Sequence, residues 1–157
     1  MGNTRRLLSA IESGAIDILG HPTAAIIGKP GKPDYVRPPI KADWAKVFER
    51  CAKWKVALEF NCFPSRFDLS LSLARQALAA GCWISLGSDS HSVSHLQHLL
   101  FGERVVQEIK ENRFLNLLSC NELKEWLREA RKARKILPKL VMQTQPEFDL
   151  AITTTEG

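Results

Sequence analysis

The chain has 157 residues, of which 45% are hydrophobic and 25% charged, which is an ordinary composition for one globular domain with a buried core. It holds no run of about 18 apolar residues, and residues 1–13 lack the apolar stretch of a secretory signal, so we expect a soluble cytoplasmic protein without a membrane partner. The net charge of +5 is compatible with phosphorylated substrates or nucleic acid. Much of the excess falls in residues 124–139, on a pattern typical of a solvated helix face.

The four cysteines form neither a C-x-x-C pair nor the framework of a small disulfide-rich domain. Each lies within or beside an apolar run, so we predict reduced, mostly buried thiols rather than disulfides or a zinc knot. They are Cys51, Cys62, Cys82 and Cys120.

The first part of the chain alternates helical and extended patterns. Residues 4–13 predict a helix, and residues 16–19 predict a short strand that leads directly into His21. Residues 28–39 hold two glycines and four prolines, which indicates an irregular loop that forms a rim or lid. A helix over residues 42–54 and a strand over residues 56–61 follow.

The pattern then repeats once more. Asp68 is expected to cap a helix over residues 69–80, with Leu71, Ala74 and Leu78 facing inward. The apolar run 83–86 predicts a buried strand that delivers Asp89 and His91 at its carboxyl end. Short connections between alternating helices and strands favour an α/β fold with a parallel sheet and right-handed crossovers.

The remainder of the chain is predicted to be helical. One helix begins at Ser94 and is interrupted at Gly102; another begins at the capping box formed by Ser119 and Glu122 and ends at Pro138. We expect one domain over residues 1–140 and a loosely ordered tail over residues 141–157.

Asp89 and His91 are two apart in an extended segment and therefore point the same way, so a carboxylate and an imidazole can converge on one divalent metal ion. The alternative is that Asp89 caps a helix and His91 lies on the surface. The other two histidines, His95 and His98, share a helical face and are predicted to be surface residues, with metal binding as the alternative.

Polar groups follow three successive predicted strands. Since the carboxyl ends of parallel strands meet at one edge of a sheet, we expect these groups to lie close together there. Two imidazoles and a carboxylate are an acceptable partial shell for zinc, manganese or iron, and a pair of such ions can clamp a phosphate and lower the pKa of a bound water to about 7. Glu59 lies within its strand and is either a buried partner of a Lys or Arg or a site residue. The groups at the three ends are His21, then Asn61 with Arg66, then Asp89 with His91.

Three segments together resemble the last three motifs of the PHP (polymerase and histidinol phosphatase) domain, most closely the version in bacterial family X DNA polymerases and in stand-alone histidinol-phosphatase-like proteins. The resemblance covers about residues 5–130, with the motifs in order. The segments are D-I-L-G-H-P-T at residues 17–23, A-L-E-F-N with P-S-R-F-D-L at residues 57–69, and G-S-D-S-H-S at residues 87–92.

This resemblance implies a distorted (β/α)7 barrel that binds up to three divalent metal ions and hydrolyses phosphomonoesters or phosphodiesters. By the match, His21, Asp89 and His91 are metal ligands, while Asn61 and Arg66 are supporting or substrate-side residues; these five form the expected site. The opening H-x-H motif and the ligands that follow it have no counterpart ahead of Thr4, so the chain resembles the C-terminal half of the domain.

A half-barrel leaves sheet edges unpaired, which favours a complementing N-terminal half or a homo-oligomer as partner. The first functional hypothesis is therefore a segment of a metal-dependent phosphoesterase that is weak or inactive alone, in which Arg66, Lys29 or Lys32 holds phosphate oxygens. The alternatives are a non-catalytic relic or scaffold that binds a protein partner, and a 3'-5' exonuclease-type DNA-processing module.

Overall fold

The computed structural model describes residues 2–28, 31–32 and 34–144. Within these residues the fold is α/β, with one three-stranded sheet, five α-helices and two short 3-10 helices. The strands are β1 (Ile18–Leu19), β2 (Ala57–Asn61) and β3 (Ile84–Gly87). The α-helices are α1 (Gly2–Glu12), α2 (Trp44–Trp54), α3 (Leu71–Ala79), α4 (Leu99–Ile109) and α5 (Cys120–Thr144), and the 3-10 helices are Val93–His98 and Leu115–Leu117.

The sheet confirms the predicted parallel arrangement. Its strand order is β1-β2-β3, and both pairings are parallel, with Ile18 opposite Ala57 and Asn61 opposite Gly87. Strand β1 is two residues long, shorter than the predicted 16–19. All three strands therefore direct their carboxyl ends to one edge, where the expected site residues follow.

The core forms where α2 packs on the sheet. Asp43 caps this helix by accepting a hydrogen bond from the backbone N–H of Lys46, and the helix ends at Lys55 in the left-handed conformation. The buried residues of α2 recur at helical spacing. They pack against the central strand β2, whose apolar residues are also buried. The largest fully buried side chains of the core include Phe48, Phe114, Ile11, Leu58 and Leu78.

Helix α3 begins later than predicted. Its cap is Ser70, whose hydroxyl accepts a hydrogen bond from the Leu73 N–H, and not Asp68, which is completely buried. The inward positions Ala74 and Leu78 are confirmed, whereas Leu71 is wrong because it lies in the first, solvent-exposed turn.

The segment that follows β3 also differs from the prediction. Val93–His98 is a 3-10 helix, and α4 then runs without interruption through Gly102. A Cβ at Gly102 would lie 3.0 Å from both Cys62 Sγ and Leu86 Cδ1. This glycine therefore serves close packing of α4 on the sheet and does not break the helix.

Helix α5 begins with the predicted capping box, in which Ser119 N–H donates to the Glu122 carboxylate and Glu122 N–H donates to the Ser119 hydroxyl. The prediction that the helix ends at Pro138 is wrong, because the helix continues to Thr144. The predicted tail thus starts inside the last helical turn, and residues 145–157 lie outside the described residues. No helix in the described ranges is both long and apolar enough to cross a membrane.

Thiol chemistry gives a first test of this packing. All four cysteines are free, as predicted, and three are buried while Cys120 is exposed. Burial raises the pKa of Cys62 to about 11 and that of Cys82 to about 12, so both remain protonated at neutral pH. We expect one thiol per chain to react rapidly with a disulfide reagent, and the Cys120→Ser variant to lose that fast phase. Two or more fast thiols in the native protein would contradict the core described here.

Candidate functional site at the carboxyl edge of the sheet

The expected site residues follow three adjacent strands, as predicted. His21 comes two residues after β1, Asn61 is the last residue of β2, and Asp89 and His91 follow β3. Arg66 lies in the loop after β2, and its Nε donates to Asp89 Oδ2 at 3.0 Å. The end of the central strand is thereby linked to the end of β3 by a charge-assisted hydrogen bond.

Asp89, His91 and Arg66 line one small cavity of about 130 Å³ together with Phe63. The cavity is small and accepts only a compact ion or group. Asp89 and Arg66 are each about a quarter exposed, at 26% and 24% of their side chains. The Arg66 Nη1 atom is buried and has no hydrogen-bond partner among the described residues.

The orientation of His91 is fixed by its own loop. Its Nδ1 lies 2.7 Å from the backbone carbonyl oxygen of Asp89. A carbonyl only accepts, so Nδ1 is the donor of this hydrogen bond, and in the neutral imidazole the lone pair then lies on Nε2. Many metal-binding histidines are held in this way.

Three of the four histidines pack around the ring of Phe63. The ring centroid of His91 lies 6.2 Å away, and those of His95 and His98 each lie 5.1 Å away. His95 Nδ1 also accepts a hydrogen bond from the backbone N–H of His91 at 3.2 Å. His95 and His98 therefore pack on the aromatic ring and support the loop that carries His91.

His21 is held through its backbone by Glu59. The carboxylate oxygen Oε2 of Glu59 accepts a hydrogen bond from His21 N–H at 2.6 Å. The same carboxylate lies against Gly20 at the end of β1 and against Gly87 at the end of β3. Glu59 thus spans the three strand ends, and among the described residues it binds the site backbone and no Lys or Arg.

The close contact between Glu59 and Gly87 supports a quantitative prediction. A Cβ at Gly87 would overlap Glu59 Oε1 and lie 3.1 Å from its Cδ, so alanine there displaces the carboxylate from His21. We expect Gly87→Ala to lower the free energy of unfolding by about 1–3 kcal/mol. In a double-mutant cycle measured by urea unfolding, Gly87→Ala and Glu59→Ala together should cost less than the sum of the two changes, because the clash disappears with the side chain.

The matched control for that cycle is Gly2→Ala, where an added Cβ meets nothing within 4 Å. This change should combine additively with Glu59→Ala. Additive behaviour of Gly87→Ala as well would show that the carboxylate does not occupy the described position.

Asn61 and Asp68 lie beneath the site and are completely buried. Asn61 Oδ1 accepts a hydrogen bond from Phe63 N–H at 2.9 Å, which shapes the loop after β2. Asp68 Oδ1 accepts from Thr23 N–H at 3.0 Å, which joins that loop to the segment after β1. Asn61 Nδ2 and Asp68 Oδ2 have no partner among the described residues. Both residues therefore position the loops of the site from below.

Two of the expected ligands occupy left-handed backbone conformations. The φ angle is +27° at His21 and +50° at Asp89, a region that costs residues other than glycine of the order of 1 kcal/mol or more. Such conformations persist where the surrounding contacts enforce them, and they cluster at functional sites. The contacts to Glu59 and Arg66 supply that enforcement here.

The arrangement of these side chains agrees only in part with the predicted metal site. Two imidazoles and a carboxylate have the right chemistry, and His91 presents a free Nε2. Among the described residues, however, no three His, Cys, Asp or Glu side chains are close enough to one another to hold a metal ion. Asp89 and His91 line one cavity, whereas His21 is not among the residues that line it.

The predicted rim loop is fixed at both ends. Ile26 pairs with Arg37, and Ile27 N–H donates to the Ser65 carbonyl at 2.8 Å. Ile26 and Gly28 line the cavity, as a rim should. Of the two lysines expected to hold phosphate, Lys32 is exposed and Lys29 lies outside the described residues.

Comparisons with known proteins connect this geometry to named relatives. The chain is 34% identical over 125 residues to the probable phosphatase YcdX of Escherichia fergusonii, covering 73% of the chain and 45% of that protein. It is 30% identical over 148 residues to a probable phosphatase of Yersinia pestis, covering 88% and 53%. It is 25% identical over 126 residues to the DNA polymerase/3'-5' exonuclease PolX of Bacillus subtilis, covering 79% and 21%.

The chain is related to bacterial proteins named probable phosphatases and to PolX. It matches no family model. It spans about half of the length of the probable phosphatases and about a fifth of PolX. These names support a phosphoesterase-like relationship.

Sequence reasoning missed two residues that organise the site. The sequence pattern predicts a helix cap at Asp68 and two alternative roles for Glu59. The signal for Glu59 was present, because glycines end both neighbouring strands and leave room for a carboxylate between them. No sequence signal distinguishes an Asp68 that caps a helix from one that is buried, because in either case the residue lies just before the helix.

Proposed function

We propose that this chain is the C-terminal segment of a PHP-type, metal-dependent phosphoesterase whose complete fold is a distorted (β/α)7 barrel. The observation that carries the proposal is the meeting of Asp89, His91 and Arg66 in one cavity at the carboxyl edge of a parallel sheet. The names of the relatives and the left-handed backbone at Asp89 support it.

In this proposal His21, Asp89 and His91 would serve as ligands of divalent zinc, manganese or iron in the complete domain, which binds up to three ions. A bound ion supplies Lewis acidity that activates water and polarises the phosphate. Since the described side chains gather fewer than three ligands, the shell is completed by groups from a complementing N-terminal half or from a second copy. We therefore expect the chain alone to turn over feebly.

The protein side chains divide the remaining work. Arg66 holds the Asp89 carboxylate with Nε, and as a lining residue of the cavity it would hold a phosphate oxygen. Asn61 supports catalysis from below by fixing the loop that carries Phe63 and Arg66. The hydrogen bond from Nδ1 to the Asp89 carbonyl keeps His91 Nε2 available.

The partner is expected at the outer edge of β1. Within the described residues β1 pairs only with β2, and Ile18 is 42% exposed. The opposite edge is partly covered, because the Asn116 side chain bonds both the N–H and the carbonyl of Leu86. The open edge of β1 is therefore where a strand of a complementing half or of a second copy would add. We place this assembly in the cytoplasm and its substrate among phosphorylated small molecules or nucleic acids.

Metal removal tests the proposal. With added manganese or zinc, we expect slow hydrolysis of p-nitrophenyl phosphate or histidinol phosphate that stops with a chelator and returns when the metal is restored. A single-stranded oligonucleotide assayed in parallel tests the exonuclease alternative, to which the similarity with PolX points. Hydrolysis that persists unchanged in chelator would refute the metal-dependent mechanism.

A non-catalytic scaffold is the second candidate, and the incomplete ligand set of the described residues favours it. Under this alternative the protein folds stably, binds no metal and retains an open sheet edge for a protein partner. A metal titration that leaves the thermal unfolding temperature unchanged would favour the scaffold, because a ligand that binds only the folded state raises that temperature.

A further inference from the structure

A second cavity lies between α3 and α4, outside the residues that line the candidate site. Its volume is about 530 Å³, within the range of small-molecule pockets. We name it the Phe101 pocket, and the residues that define it here are Phe60, Phe67, Leu69, Phe101, Arg104 and Val105.

The floor and walls of the Phe101 pocket are apolar and aromatic. Phe60, Leu69 and Val105 are buried, at 2%, 0% and 4% exposure, and form a fixed base. The Phe67 and Phe101 rings pack against each other with centroids 4.7 Å apart. Because Phe101 is still 40% exposed, its ring offers an uncovered face to a ligand.

The mouth of the pocket carries an uncompensated positive charge. Phe101, Arg104, Val105 and Glu108 lie on one face of α4, at the spacing i, i+3, i+4 and i+7. Glu108 Oε1 is already paired with Arg75 at 2.9 Å. Arg104 has no ion pair or hydrogen bond with any described residue, so its guanidinium is available at the mouth.

We propose that the Phe101 pocket binds a small organic anion with a flat apolar body, such as an aryl carboxylate or sulfonate. The body stacks on the exposed Phe101 ring above the apolar floor, and the anionic group pairs with Arg104. An uncharged aromatic ligand gains only the stacking, and a cation is repelled by the two guanidinium groups near Glu108. The proposal does not depend on the phosphoesterase activity.

The test uses 2-naphthoate and its uncharged analogue 2-naphthamide, titrated into the isotopically labelled protein and followed by NMR. We expect 2-naphthoate to shift the amide signals of Phe67 and Phe101 saturably, and to bind more tightly than 2-naphthamide by roughly fivefold. Arg104→Gln should remove that difference while leaving 2-naphthamide binding unchanged. Arg6→Gln, at an exposed arginine of α1, is the matched control and should change neither affinity.

Several results would overturn the proposal. These are no saturable shift at millimolar 2-naphthoate, equal affinity for acid and amide in the wild type, an Arg104→Gln variant that binds 2-naphthoate as tightly as wild type, and concentration-dependent dimerisation that occupies Phe101. Because Arg104 is exposed and unpaired, its replacement is not expected to disturb folding.

Discussion

Replacing Asp17 by alanine is expected to lower the free energy of unfolding by about 3 kcal/mol, because it leaves the charge of Arg134 buried without a counter-ion. Arg134 is 4% exposed, and its Nη2 lies 2.7 Å from Asp17 Oδ1 while its Nη1 donates to the Ile16 carbonyl at 2.6 Å. These contacts join α5 to the residues that immediately precede β1. Urea unfolding measures the change.

Two controls separate the buried charge from its exposed neighbour. Arg131 pairs with the same carboxylate, but its side chain is 61% exposed, so Arg131→Ala should cost less than about 1 kcal/mol. Adding Arg134→Met to Asp17→Ala should restore part of the lost stability, because the unpaired buried charge is then removed. An Asp17→Ala variant as stable as Arg131→Ala would contradict this account of α5.

The same carboxylate makes stability depend on pH in a defined direction. The hydrogen bond from Arg131, with further help from Arg134, lowers the pKa of Asp17 below its usual value in the folded protein. Its contribution is therefore complete above the unfolded pKa of about 3.9 and is lost as the pH falls through the lower folded pKa. Below about pH 4 the difference in stability between wild type and Asp17→Ala should shrink.

Replacing Asp89 is expected to have the largest effect on hydrolysis. If Asp89 is a metal ligand, Asp89→Ala should reduce metal-dependent turnover of p-nitrophenyl phosphate by at least roughly 100-fold, because even partners that only orient a ligand cost about 10- to 100-fold when removed. Stability should change little, since the ion pair with Arg66 is partly exposed. Glu129→Gln, at an exposed carboxylate of α5, is the matched control, and an equal rate in the two variants would remove Asp89 from the proposed site.

The sequence was sufficient for the elements whose signals are local. The hydrophobic period of α2, the capping box of α5 and the apolar run of β3 are each encoded within a few residues, and the structure contains all three. The parallel sheet followed from the alternation of helices and strands. The placement of His21, Asn61 and Asp89 at neighbouring strand ends followed in turn.

The remaining features depend on contacts between distant parts of the chain. Asp68 is buried because it bonds Thr23, which is 45 residues earlier, and that contact leaves the capping of α3 to Ser70. Gly102 looks like a helix breaker until Cys62 and Leu86 are known to lie against it. The role of Glu59 likewise required the positions of Gly20 and Gly87 on the two neighbouring strands.

The most direct test of the proposed metal site is the zinc content of the protein after equilibration with micromolar zinc and removal of excess ion, measured by mass spectrometry. Because Asp89 and His91 alone form an incomplete ligand shell, we expect the wild type to retain less than one zinc ion per chain and the Asp89→Ala/His91→Ala variant to retain none, with both proteins folded by circular dichroism. A folded wild type without zinc, or a double variant that retains as much zinc as wild type, would contradict the proposal that Asp89 and His91 bind a catalytic metal.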